Sequence, residues 1–278
     1  MNPTEQRGKA VAFRDWHHRP KILVLPNAWD CVSARLFEQA GFPALATTSG
    51  GVAAVLGYPD GQHIRPPEML ALVGRIAETV SVPVTADLEA GYGKTVAEVA
   101  EFMRQAISVG IVGANLEDSS GADHRLADLA YQVEVIQAIR QVATDCEIPV
   151  VLNARVDVYL HGAGDAPDRF AQAVQRAKAY RDAGADCVFP IGLKDRETIA
   201  RLVSKIGCPM NIMVGPGAPT IAELEQLGVR RVTFGTGLMR ATLPLIRQMA
   251  QELRASGGCD SMAQTQFTHA VVNQLFRK

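Results

Sequence analysis

The sequence predicts an α/β fold, a (β/α)8 TIM barrel followed by an additional C-terminal helix, and three observations carry that expectation. Short β-rich apolar runs recur eight times, at 22–25, 44–48, 82–86, 112–116, 150–153, 187–190, 211–214 and 231–234. Segments of helical periodicity alternate with them, at 32–40, 67–80, 96–109, 127–143, 168–183, 196–205, 221–227 and 241–255. The turns between them are punctuated by glycine and proline.

Each element has its own local reason. Alternation sustained over eight units implies parallel strands joined by right-handed crossovers, and closure buries the sheet and removes its edges. Ala40-Gly41, Val109-Gly110, Ala183-Gly184 and Leu227-Gly228 end four helices with a residue suited to a left-handed cap. Proline opens three strands, at Val82-Pro83, Ile148-Pro149 and Cys208-Pro209, where a missing N–H does least harm. No G-x-G-x-x-G follows the first strand, which argues against a doubly wound open sheet. No linker divides the 278 residues, so one domain is expected, with the barrel over about 21–255 and a helical extension over 256–278. Ser256-Gly257-Gly258 breaks the last barrel helix. Beyond it, 261–276 can form one more helix with Met262, Phe267, Val271, Leu275 and Phe276 on its apolar stripe. That stripe needs a partner surface, either a neighbouring subunit or the chain's own barrel.

Composition removes several function classes. A net charge of −1 gives no basic footprint for nucleic acid. No apolar run approaches the roughly 20 residues that cross a bilayer, so no membrane partner is expected. The N-terminus is polar and lacks the apolar segment of a secretory signal, which predicts a cytoplasmic protein. The five cysteines are scattered without a C-x-x-C pair, arguing against a disulfide framework and a zinc site. His17 and His18 lie in a polar segment and are expected to face solvent. His63, His124 and His161 fall in loops without metal-cluster spacing. No lysine ends a predicted strand, as a Schiff-base enzyme would want.

In a barrel of this type chemistry gathers where strands end, and those ends are unusually polar here. The run Pro83–Gly93 leads a strand into Asp87 and Glu89, which strict alternation would point to one face. Paired carboxylates repel unless a cation or proton lies between them, and Mg2+ is the simple resolution, with Mn2+ as a substitute. Gly91 and Gly93 would let a ligand approach the backbone. Asn27 and Asp30 follow the first strand; Asn115, Glu117 and Asp118 come from the fourth; Asn153, Arg155 and Asp157 come from the fifth. Arg155 offers a bidentate fork for a substrate carboxylate or phosphonate, or else a structural ion pair to Glu117 or Asp87. Ser49-Gly50-Gly51 reads either as a set of backbone N–H groups for a carboxylate or as a tight turn. Asn211, on the seventh strand, is a further candidate substrate contact.

Four ordered motifs make the chain resemble the isocitrate lyase/phosphoenolpyruvate mutase superfamily: S-G-G…L-G-Y-P-D, D-L-E-A-G-Y-G, N-L-E-D and N-A-R-V-D, spanning about 23–239. The resemblance implies a barrel whose extra C-terminal helix is swapped between subunits, commonly in homotetramers. It implies Mg2+ and a small 2-oxo or 2-hydroxy carboxylate, with a C–C or P–C bond cleaved or formed beside the carboxylate. Carried over by motif, Ser49, Gly50 and Gly51 would cradle the substrate carboxylate and Asp60 would stand near the reacting centre. Asp87, Glu89 and Glu117 would be the metal carboxylates, and Arg155 the substrate grip. The superfamily's D-x-D is Asp87-x-Glu89 here, a longer arm suited to a water-mediated contact.

Two departures narrow the reaction. The lyase K-[KR]-C-G-H loop is replaced by 117–125, without cysteine, and the lyase F-P-E is Phe189-Pro190-Ile191. Both losses argue against isocitrate or methylisocitrate cleavage. The expectation is a Mg2+-dependent lyase of the oxaloacetate decarboxylase type, in a dimer or tetramer. P–C bond chemistry is the alternative, and a barrel that binds a 2-oxo acid without turnover is a second.

Overall fold

In the computed structural model, which describes residues 2–120, 125–162, 164–263 and 267–277, eight parallel strands close into a barrel. The first, β1, forms two short ladders, Leu23–Val24 and Asn27–Ala28, separated by Pro26. The others are β2 (Leu45–Thr47), β3 (Val84–Asp87), β4 (Gly113–Glu117), β5 (Val151–Val156), β6 (Cys187–Pro190), β7 (Asn211–Met213) and β8 (Arg231–Thr233). The outer half of β1 pairs with β2 and its inner half with β8, so this strand stitches two sheets together. On the other side a Val188–Met210 bridge and the Val188 N–H to Pro209 carbonyl bond, 3.0 Å, join β6 to β7. The strands are buried on both faces, which is why they are legible as nearly continuous apolar runs.

The expected helices are present as α2 (Cys31–Gln39), α4 (Pro66–Thr79), α5 (Val96–Ser108), α6 (Leu129–Asp145), α8 (Ala166–Asp182), α9 (Arg196–Ile206), α10 (Ile221–Gln226) and α11 (Gly237–Ser256). Gly41, Gly110, Gly184 and Gly228 all adopt the positive φ expected of them. Three helices were not anticipated: α1 (Pro3–Trp16), α3 (Ser49–Leu56) and α7 (Val158–His161). Helix α1 starts with the Asn2 side chain accepting from the Thr4 N–H at 2.9 Å, with Pro3 in the first turn. Its buried stripe is only Gln6, Ala10 and Phe13, too narrow and too polar to stand out. Phe13 packs under the start of β4, where a Cβ on Gly113 would stand 2.8 Å from its ring. Helix α1 therefore plugs the N-terminal mouth of the barrel.

That plug corrects the expectation for His17. It does not face solvent: it is completely buried, edge-on to Phe13 at 4.8 Å, and its Nδ1–H donates to the Phe13 carbonyl oxygen at 2.8 Å. His124 and the rest of 121–124 lie outside the described residues. So does 264–266, within the expected tail helix. On either side of that gap stand α12 (Asp260–Ala263) and α13 (His269–Leu275). Leu275 is buried and its carbonyl oxygen accepts from Arg35 of α2, so α13 lies against its own chain's barrel. By contrast α11 buries no residue and exposes Leu243, Leu245, Ile246 and Leu253. Among the described residues no helix is long and apolar enough to cross a membrane.

Burial of His17, helped by the nearby Arg231 charge, lowers its pKa from the ordinary 6.5 to about 3. The folded chain then refuses a proton that the unfolded chain accepts, so stability falls as pH drops from about 6.5 towards 3. Thermal melting between pH 7.5 and pH 4 should show a Tm decline that is shallower in His17→Gln. Parallel declines would contradict the assignment.

Candidate functional site

The C-terminal ends of the strands surround a cavity of about 270 Å³. Ser49, Asp60, Glu89, Glu117 and Arg155 line it, as the sequence leads one to expect. Ser119, Leu160 and His161 also line it and were not anticipated as site residues. A larger cavity, about 720 Å³, lies between Glu5, Arg35, Arg75 and the C-terminal Leu275. It is away from the strand ends where barrel chemistry is built, so the smaller one is the functional candidate.

Strand β3 stops at Asp87, and Glu89 takes a left-handed φ of 51°. Simple alternation therefore does not carry Glu89 to its position. A tight turn re-aims it, and the Tyr92 hydroxyl, on a second residue with positive φ, donates to Glu89 Oε1 at 2.6 Å. Gly91 and Gly93 serve packing here rather than ligand approach. A Cβ on Gly91 would meet Val99 at 2.6 Å, and one on Gly93 the Val99 backbone nitrogen at 2.5 Å.

Ser49, Gly50 and Gly51 form the first turn of α3, not an isolated turn. The Ser49 backbone N–H and its hydroxyl both donate to Asp87 Oδ2, at 3.0 and 2.9 Å. A Cβ on Gly50 would stand 2.7 Å from Asp60 Oδ2, so Asp60, from the loop between α3 and α4, leans over the start of this helix. Asn211 is not brought to the cavity: it is fully buried within the barrel wall, and its amide donates to the Thr233 hydroxyl at 3.1 Å. Asn27 is structural as well, accepting from the Phe234 and Gly235 N–H groups. Asp30 caps α2.

Arg155 is held from two sides. Its Nε and Nη2 donate to the two oxygens of Asp157 at 2.6 and 2.7 Å, and its Nη1 lies 2.5 Å from Glu117 Oε2. Asp157 is itself fixed, accepting from the Ser119 hydroxyl at 2.5 Å while its N–H donates to Asp118. Asp118 turns outward to Tyr180 and Arg176, so it supports the site without facing it. Three of the five guanidinium N–H groups are used, which leaves two for a ligand.

Burial raises the Glu117 carboxyl to about 9; Arg155 pulls it down, while Asp157, Asp87 and Glu89 push it up. Burial raises Glu89 to about 7 against the Tyr92 hydrogen bond, with Asp87 and Asp60 adding repulsion. Asp60 is raised by burial and then by Asp87. Burial works against the Arg155 charge, but Asp157 and Glu117 more than offset it. Four carboxyl groups thus share a small volume with insufficient positive charge. Among the described residues no group of three or more His, Cys, Asp and Glu side chains could ligate an ion by itself. Mg2+ needs only one or two carboxylates and keeps several waters, so this donor set fits it.

The fold and site define a barrel enzyme of the superfamily whose members are lyases and mutases. The model of the phosphoenolpyruvate phosphomutase family matches residues 13–254, and the chain belongs to that family. It is 39% identical over 227 residues to an uncharacterized protein of Mycobacterium tuberculosis, covering 81% of this chain and 82% of that one. It is 28% identical to the 2-methylisocitrate lyase of Escherichia coli, over 95% of this chain and 90% of that one. Among solved structures, it is similar to a candidate lyase/mutase from Burkholderia cenocepacia, with 37% identity, TM-score 0.90, and coverage of 99% and 98%. It is also similar to 2,3-dimethylmalate lyase, a PEP mutase/isocitrate lyase superfamily member, with 28% identity, TM-score 0.85, and coverage of 96% and 94%.

Removing Asp157 leaves Arg155 and Ser119 without their shared acceptor in a buried position. Asp157→Ala should cost about 3–5 kcal/mol of stability in urea unfolding, and a loss within about 0.5 kcal/mol would show the pairing to be unimportant.

Proposed function

We propose that this protein is a Mg2+-dependent carbon–carbon lyase acting on a small 2-oxo dicarboxylate, in the manner of an oxaloacetate decarboxylase. The observation that carries the proposal is the set Asp60, Glu89 and Glu117 against Arg155 in a cavity of about 270 Å³, with Asp87 behind it, bonded to the lining residue Ser49. Asp87 and Glu117, with Glu89 through water, are the residues that would hold the ion. When bound, Mg2+ supplies Lewis-acid polarisation of the 2-oxo carbonyl.

The chain's own residues do the rest. Arg155, pinned by Asp157, turns its remaining N–H groups to a substrate carboxylate and so fixes which bond lies across the carbonyl. The start of α3 at Gly50 and Gly51 offers backbone N–H groups and the positive end of a helix to a second carboxylate. The bond to the departing carboxylate breaks, its electron pair passes into the enolate, and CO2 leaves without an acid. That fits a cavity with no cysteine among its lining residues. The enolate carbon must then regain a proton, and His161, on α7 beside the cavity, is our candidate donor. The exposed stripe on α11 supports an assembly of two or four subunits.

Purified protein with Mg2+ should release pyruvate from oxaloacetate faster than Mg2+ alone, and EDTA should abolish the excess. Arg155→Ala should lower kcat/KM by about a hundredfold; an undiminished rate would sink the proposal. The family match to phosphoenolpyruvate phosphomutase favours P–C chemistry as a second reading. It requires phosphate release from phosphonopyruvate and its loss in Asp60→Asn.

A further inference from the structure

The eighth strand carries a charge that the site does not use. Arg231 is completely buried inside the barrel and, among the described residues, forms no ion pair. Its Nη2 donates to Asn115 Oδ1 at 3.0 Å, while Nε and Nη1 have no hydrogen-bond partner among the described residues. The Phe13 ring centroid, 5.9 Å from its Cζ, is a further favourable contact. Burial lowers its pKa to about 10, with Cys187 and Asp87 opposing, so it is charged at neutral pH. A buried guanidinium is costly unless opposite charge stands near it.

That opposite charge lies at the strand ends next to it. Asn115, which holds Arg231, is directly paired in register with Asp87 and precedes Glu117 by two residues on the same strand. Asn115 Oδ1 also accepts from Asn153 at 2.7 Å, and Asn153 precedes Arg155 by two. Arg231 therefore anchors the row of Asn115, Asn153 and Asp87, immediately beneath the row of Glu117 and Arg155. In that row and above it, Asp60, Asp87, Glu89, Glu117 and Asp157 gather around one arginine. A divalent cation alone leaves formal negative charge there, against an anionic substrate.

We propose that Arg231 is the buried counter-cation of this acid cluster, a positioning residue that loosens its hold on a divalent cation and strengthens its hold on a dicarboxylate. The proposal rests on the metal and carboxylate reading given above. It is tested by Mn2+ binding to the metal-free full chain, followed by calorimetry with oxalate on the Mn2+ form. Arg231→Met keeps length without charge and should bind Mn2+ at least threefold tighter and oxalate at least threefold more weakly. Arg231→Lys should stay close to wild type. A damaged site would weaken both ligands, so tighter Mn2+ binding separates a charge effect from a structural one. Circular dichroism establishes folding, and Arg231→Gln is read in place of Arg231→Met if the latter does not fold. Equal or weaker Mn2+ binding in a folded neutral variant, with a wild type that binds, overturns this inference alone. A wild type that binds no Mn2+ overturns the metal reading and this inference with it.

Discussion

The double pairing of Arg155 is the interaction on which the site depends. One edge of its guanidinium is fixed by Asp157, and Glu117 approaches the remaining terminal nitrogen. Without Asp157 the arginine would lose its bidentate partner; without Arg155, Glu117 would be a buried carboxyl surrounded by acids. The elements behind it are arranged to hold that geometry. Asp118 ties the Asp157 backbone to Tyr180 and Arg176 on α8, so the strand end is braced from the helical layer.

Around this pairing the site is electrostatically unfinished. Glu117, Glu89 and Asp60 are raised primarily by burial, and each is raised further by its acidic neighbours. Charge that a protein gathers at a cost to itself is a common sign of function. On the proposed reading it asks for a cation, and Arg155 would anchor an anion in the same volume. Relatives that cleave larger carboxylates belong to the same superfamily, but the cysteine loop expected of such lyases is absent from this chain. Decarboxylation is the step with the smallest requirement for an added acid.

The N-terminal helix and the barrel floor bear on the same balance from below. Phe13 and His17 seal the mouth under β4, and the Arg231 charge sits above that seal. A neutral His17 and a charged Arg231 are compatible neighbours, because burial and the arginine both hold the imidazole unprotonated. The floor of the barrel is thus polar and close to the strands that carry the acids, although none of it is exposed.

The sequence by itself determined the eight strands, the helices that cross between them, and the acids and arginine at their ends. Strands buried on both faces must be apolar throughout, and glycine must follow helices that turn sharply, so those signals are local. Tertiary structure alone decided the rest. The reach of Glu89 depends on a left-handed turn that alternation does not predict, and the glycines at 91 and 93 serve contacts with Glu98 and Val99 in the first turn of the next helix. His17 reads as polar surface until Phe13 and the barrel wall enclose it. His161 reads as a loop residue until a single helical turn brings it to the cavity. Asn211 reads as a strand-end ligand until Thr233 takes its amide. In each case the deciding partner is distant in sequence or the backbone leaves its regular period, and neither can be seen in one segment of chain.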